Sequence, residues 1–157
     1  MPVYNSEFRT EEGQPGPGGL ARFGTILPVE LAIPSSLSRV LAEQGQNIPS
    51  PVSGFILIDT GATRSAVDIN TILGLGVNAI GITNLMTASG ESQHHLYPAK
   101  FNFPAMRFEV EFSSLVGVNL SRQSIGGQQI TALMGRDLLS RCLLVYNGPK
   151  GSCSVAI

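Results

Sequence analysis

Tryptophan is absent from this chain, cysteine occurs twice, and only 13% of the 157 residues are charged. Each scarcity excludes something. Two cysteines cannot build a disulfide framework. Ten Lys and Arg against eleven Asp and Glu leave a formal net charge of -1. No basic run with interleaved aromatics appears, so nothing electrostatic points to nucleic acid. No apolar stretch approaches the ~20 residues that span a bilayer. The opening MPVYNSEFRTEEGQPGPGG has neither the basic start nor the apolar core of a secretory signal. The expectation is a cytoplasmic protein with no membrane or nucleic-acid partner.

What is present is turn-forming and apolar. Hydrophobic residues make up 43%, with 18 Gly and 10 Pro, a globular rather than a disordered composition. The length fits one domain. Low charge density favours a mostly β chain over surface-charged helices. The Gly/Pro-rich stretch after Arg9 predicts a flexible N-terminal tail over 1–22, leaving 23–157 as the folded domain.

Within that domain, Thr25 to Ile33 reads as a strand whose Pro28 implies an edge or a bulge. Ser35 or Ser36 is placed to cap a short helix carrying Leu37, Val40 and Leu41. Phe55-Ile56-Leu57-Ile58 reads as a strand buried on both faces. Asp68 is a suitable N-cap for a helix with Ile69, Ile72 and Leu73 on one side. A hairpin is expected with its tip at Ser89-Gly90. Phe108 to Phe112 alternates and should have one wet face. Ser121 to Gln129 reads as a loop, Ala132 to Gly135 as a short strand, and Arg136 to Arg141 as a short helix. If Asn147-Gly148 makes a two-residue turn, the terminal hairpin sets Cys142 opposite Cys153. Two small buried thiols are expected there rather than a bridge.

The chemistry centres on few groups, since only three aspartates occur: Asp59, Asp68 and Asp137. Asp59 follows a buried apolar run, where its charge must pair, bond or titrate upward. Thr60 offers a hydroxyl to lock a loop, and Gly61 lets a ligand backbone come close. The bland alternative is a turn aspartate at a strand exit. Asp137 reads as an early helical position whose charge suits the dipole. His94 and His95, adjacent on a strand, point to opposite faces and suit one metal ion poorly. No metal and no cofactor is expected, and no nucleophile-elbow pattern supports a serine triad.

Together FILIDTGAT (Phe55–Thr63) and ALMGRDLL (Ala132–Leu139) resemble the two signature segments of the retropepsin-like aspartic peptidases. The resemblance spans about Thr25 to Ile157. It implies a closed, mostly antiparallel β domain with two or three short helices. It also implies an endopeptidase of extended polypeptides, active as a homodimer. Two carboxylates must share one proton around a water in such chemistry, one as base and one as acid. A chain with a single motif must take the second carboxylate from a twin subunit across a two-fold axis.

By the resemblance, Asp59 would be catalytic, with Thr60, Gly61 and Ala62 supporting its loop. Thr60 would bond across the dimer axis. The hairpin around Thr87, Ala88, Ser89, Gly90 and Glu91 would be the flap, and Gly135, Arg136 and Asp137 would form the structural second motif. Two departures stand out. The flap tip is less Gly-rich than in retroviral members. Thr63 occupies a position where those enzymes place an Asp, so Arg136 needs another partner and Arg64 is free to lean toward the cleft or the dimer interface. A dimerisation or peptide-binding module of little turnover is the alternative function.

Overall fold

The computed structural model describes residues 1–7, 16–87, 90–125 and 127–157. Its eleven described strands are β1 (Val3–Glu7), β2 (Ile26–Ala32), β3 (Val52–Ile58), β4 (Ala66–Asp68), β5 (Gly81–Thr87), β6 (Gly90–Phe103), β7 (Phe108–Val118), β8 (Ser124–Ile125), β9 (Gln128–Met134), β10 (Leu143–Asn147) and β11 (Ser152–Ala156). Four short helices join them: α1 (Pro17–Phe23), α2 (Ser35–Glu43), α3 (Ile69–Gly74) and α4 (Arg136–Leu139).

Strands β2, β3, β9, β4, β7 and β6 neighbour one another in that order. Glu30 to Ala32 of β2 then pair with β6, closing a barrel. Most pairs are antiparallel, whereas β3–β9 and β4–β7 are parallel. The β3–β9 pair brings the ends of β3 and β9 side by side, which is where the two sequence motifs lie. β5 pairs with β6 as a hairpin beyond the ring. A separate sheet of β1, β11 and β10 carries the two ends of the chain.

The barrel interior holds Leu27, Leu31, Ile56, Phe101, Phe103, Leu115 and Met134, all almost fully buried. Each such side chain contributes about 1.5–3 kcal/mol by leaving water. Phe101 meets Phe103 edge-on at 6.4 Å, and Phe103 stacks with Phe108 at 6.0 Å. The alternation in β7 is as expected: Phe108, Val110 and Phe112 pack inward while Glu109 and Glu111 stay wet. Pro28 lies where β2 has β3 on one side only, since the pairing with β6 starts at Glu30.

Several local expectations are corrected. Only Ile56 of the β3 run is fully buried; Phe55 and Leu57 face outward against a smaller cluster around Ile26, Leu120 and Ile130 that does not cover them. Among the described residues the α-helices number four, because the segment read as a tail supplies α1 as well as β1, which pairs with β11. Residues 8–15 of that segment lie outside the described residues. The stretch read as a loop over 121–129 contains β8, paired with the start of β9, while Gly126 lies outside the described residues.

The terminal hairpin has four loop residues rather than two. The Asn147 side chain accepts from the Lys150 N–H at 3.2 Å, and Gly151 takes φ 62°, so Asn147 pairs with Ser152. Cys153 therefore faces Tyr146, and Cys142 precedes the strand. Both thiols are free.

Candidate active site

Strand β3 delivers Asp59 to the barrel rim, and its neighbour β9 fixes where the loop begins. The Asp59 N–H donates to the Met134 carbonyl at 3.0 Å. The chain then turns back on itself: the Asp59 carboxylate Oδ1 accepts from the Gly61 N–H at 3.0 Å and the Ala62 N–H at 3.1 Å. A Cβ at Gly61 would come within 3.2 Å of that same oxygen. The small residue is what lets the carboxylate curl over its own loop. Oδ2 makes no hydrogen bond among the described residues, so one carboxylate oxygen is fixed and the other is available.

The second motif braces this loop from below. Arg136 donates through Nη1 to the carbonyls of Thr60 (3.0 Å) and Gly61 (3.3 Å), and through Nη2 to the Thr63 hydroxyl (2.9 Å). Thr63 thus takes the place of a carboxylate partner. The backbones also join, with the Arg136 N–H donating to the Ala62 carbonyl and the Asp137 N–H to that of Thr63. Gly135 allows this approach: a Cβ there would lie 2.4 Å from the Arg64 carbonyl carbon.

Asp137 does more than complement a helix dipole. Its carboxylate accepts from the Ser65 N–H (2.8 Å), the Ser65 hydroxyl (2.6 Å) and the Leu138 N–H (2.8 Å). Ser65, buried, accepts in turn from the Gly135 N–H at 3.0 Å. Sequence reasoning passed over Ser65. Its one signal in the sequence was a hydroxyl residue at the start of a short apolar run.

Above Asp59 opens a cleft of about 510 Å³. Ala66, Val116, Val118 and Leu133 give it apolar walls, and Leu85 and Met86 of the hairpin close one side. Met86 is 81% exposed. Asp59 is the one carboxylate among the lining residues, and Arg64 the one cation. Of the expected flap residues, Thr87 and Gly90 form the last described pair of the hairpin and Glu91 pairs with Met86. Ala88 and Ser89 lie outside the described residues. The hairpin residues that line the cleft are therefore Leu85 and Met86, on the strand before the tip.

No family model matches the chain, and no curated protein does. Among solved structures, the chain is similar to the crystal structure of a retropepsin-like aspartic protease from Rickettsia conorii. The identity is 17% over 98% of this chain and 91% of the other, with a TM-score of 0.41. The solution structure of simian foamy virus (mac) protease is similar at 16% identity, covering 72% of this chain and 91% of that one, with a TM-score of 0.39. The fold itself, a closed and mostly antiparallel β domain with short helices, is the one expected from the sequence.

The histidines stand apart from the Asp59 rim. His94 bonds the Ser92 hydroxyl at 2.8 Å and the Gly117 carbonyl at 3.1 Å, whereas His95 is exposed on the opposite face. No helix among the described residues is long and apolar enough to cross a membrane.

Proposed function

We propose that the chain is an aspartic endopeptidase that acts on extended polypeptide as a homodimer, with Asp59 of each subunit in the catalytic pair. The observation that carries this reading is the state of the Asp59 carboxylate. Its Oδ1 is held by two backbone N–H groups, while Oδ2 is unbonded at the mouth of an apolar-walled cleft. A carboxylate so placed can orient and deprotonate a water without itself rotating. A single such group lacks the acid partner the reaction needs. Among the described residues lining the cleft there is no second carboxylate, so a two-fold axis past Asp59 would supply it from a second copy. Two carboxylates facing each other across such an axis can share one proton, leaving one as base and the other as acid. Thr60, exposed on the loop, would then face its twin.

In this reading one carboxylate takes a proton from water as the oxygen attacks the scissile carbonyl, and the other protonates the carbonyl oxygen. Collapse of the tetrahedral species returns a proton to the leaving nitrogen and breaks the C–N bond. The hairpin of β5 and β6 would close over the peptide and exclude bulk water.

The test is cleavage of a diverse peptide library from acidic to neutral pH by wild-type and Asp59→Asn protein. Cleavage by the wild type alone is expected. Silence from both, in folded and dimeric protein, would turn the assignment to a peptide-binding module.

A further inference from the structure

Among the described residues, one charged side chain besides Asp59 lines the cleft, and no carboxylate there answers its charge. Arg64 is half-buried, and only one of its guanidinium nitrogens is engaged: Nη2 donates to the Ser114 carbonyl at 2.9 Å and to the Ser114 hydroxyl at 3.0 Å. Nη1 and Nε make no hydrogen bond among the described residues, and no carboxylate pairs with Arg64 there. Arg136 is different, since both of its terminal nitrogens are held by the Asp59 loop.

The anchor also fixes where the charge sits. Ser114, Val116 and Val118 alternate along β7 and so share one face, and the two valines line the cleft. Ser114 therefore holds the Arg64 head at the end of that same wall. A cation half-removed from water, oriented by two acceptors and otherwise flanked by apolar side chains, attracts a carboxylate more strongly than an exposed one does.

We propose that Arg64 is a specificity-determining residue, selecting peptides that carry an acidic side chain within the segment held in the cleft. The proposal rests on the peptide-cleft reading above and adds to it the chemical class of substrate. An acidic residue would pair with the free edge of the guanidinium while apolar neighbours fill the space against Val116, Val118 and Leu133. Asp59 disfavours a second carboxylate at its own end, so the preference belongs to one position of the peptide rather than to net charge.

The experiment measures binding apart from turnover, using the full chain carrying Asp59→Asn. Labelled peptides that differ only by Glu against Gln at successive positions are titrated by fluorescence anisotropy. At one position the Glu peptide is expected to bind about tenfold tighter, and this advantage should shrink as salt rises. Adding Arg64→Gln should abolish the preference, Arg64→Lys should keep part of it, and Arg64→Glu should invert it toward Lys peptides. Urea midpoints and sedimentation run beside each variant confirm fold and assembly. Equal binding of Glu and Gln peptides at every position overturns the proposal, as does a preference that survives Arg64→Gln. So does the absence of any peptide binding, or an Arg64→Glu chain that merely dissociates to monomer. Cleavage by wild type is scored separately: a Glu preference in binding without any cleavage sinks the peptidase reading and leaves Arg64's role standing, and cleavage indifferent to Glu does the reverse.

Discussion

Gly135 shows how one missing side chain sets the site. Its α-carbon faces the backbone between Arg64 and Ser65, where an added Cβ would meet three backbone atoms at 2.4–2.7 Å. Backbone atoms cannot rotate away as a long side chain can. Gly135→Ala must then push the two motifs apart, with a loss of about 1–3 kcal/mol as in other overpacked sites. The urea midpoint should fall, and activity should fall further than stability explains, because Arg136 would be drawn off the Asp59 loop. A variant as stable as wild type would show that the segments are not pressed together.

Cys153 makes a second prediction at this scale. Burial pushes its thiol pKa up, and the neighbouring Thr25 hydroxyl offsets part of the rise. A folded-state pKa above the unfolded value means the folded chain holds the proton longer. Stability from this group is therefore complete below the ordinary thiol range, near ~8.5, and is lost as pH rises through the folded value. The alkaline decline of the urea midpoint should be shallower in Cys153→Ala than in wild type. An unchanged slope would rule the thiol out as its source.

At the scale of elements, α2 is held by a residue far from it in sequence. The Ser35 N–H and hydroxyl both donate to the Glu111 carboxylate on β7, at 3.2 and 2.6 Å across 76 residues. Pro34, at the capping position, offers no side-chain acceptor. Glu111 serves as the cap, favoured by the helix dipole. Glu111→Ala should cost about 1 kcal/mol in urea unfolding, with Glu111→Gln losing less. A neutral result in both would show that the contact adds nothing to stability.

The contrast with α3 explains what was legible. There the cap is local: Asp68 accepts from the Thr71 N–H three residues on, and the sequence alone identifies it. Capping across the barrel leaves no mark on neighbouring residues. The same division runs through the strands. Period-two alternation announced the wet face of β7, but the outward cluster over Phe55 and Leu57 depends on which strands flank β3. The loop before β11 was misread because Asn147 caps a four-residue turn with its side chain, and Asn-Gly alone suggests the two-residue kind.

For the whole molecule, the two segments that meet at the rim were legible and the walls around them were not. Asp59-Thr60-Gly61 and Gly135-Arg136-Asp137 were singled out as a pair of motifs by resemblance, and close backbone approach at Gly135 with donors fixed on Arg136 gives the physical reason they meet. Val116, Val118 and Leu133 could not, since they reach the cleft only through the closing of the ring. Closure places one carboxylate at one rim, and the proposed reaction needs two. That deficit can be measured by mixing. Wild-type and Asp59→Asn chains, combined unfolded in equal amounts and refolded together, should pair at random if the substitution leaves the interface intact. Dimers carrying two aspartates would then be roughly one quarter of the total, and activity per dimer should follow the square of the wild-type fraction. Activity linear in that fraction would mean that each chain works alone, and the shared-dyad mechanism would fail. Activity above the square but below the line would show that one Asp59 suffices at reduced rate, which peptide-bond hydrolysis by a paired acid and base does not allow.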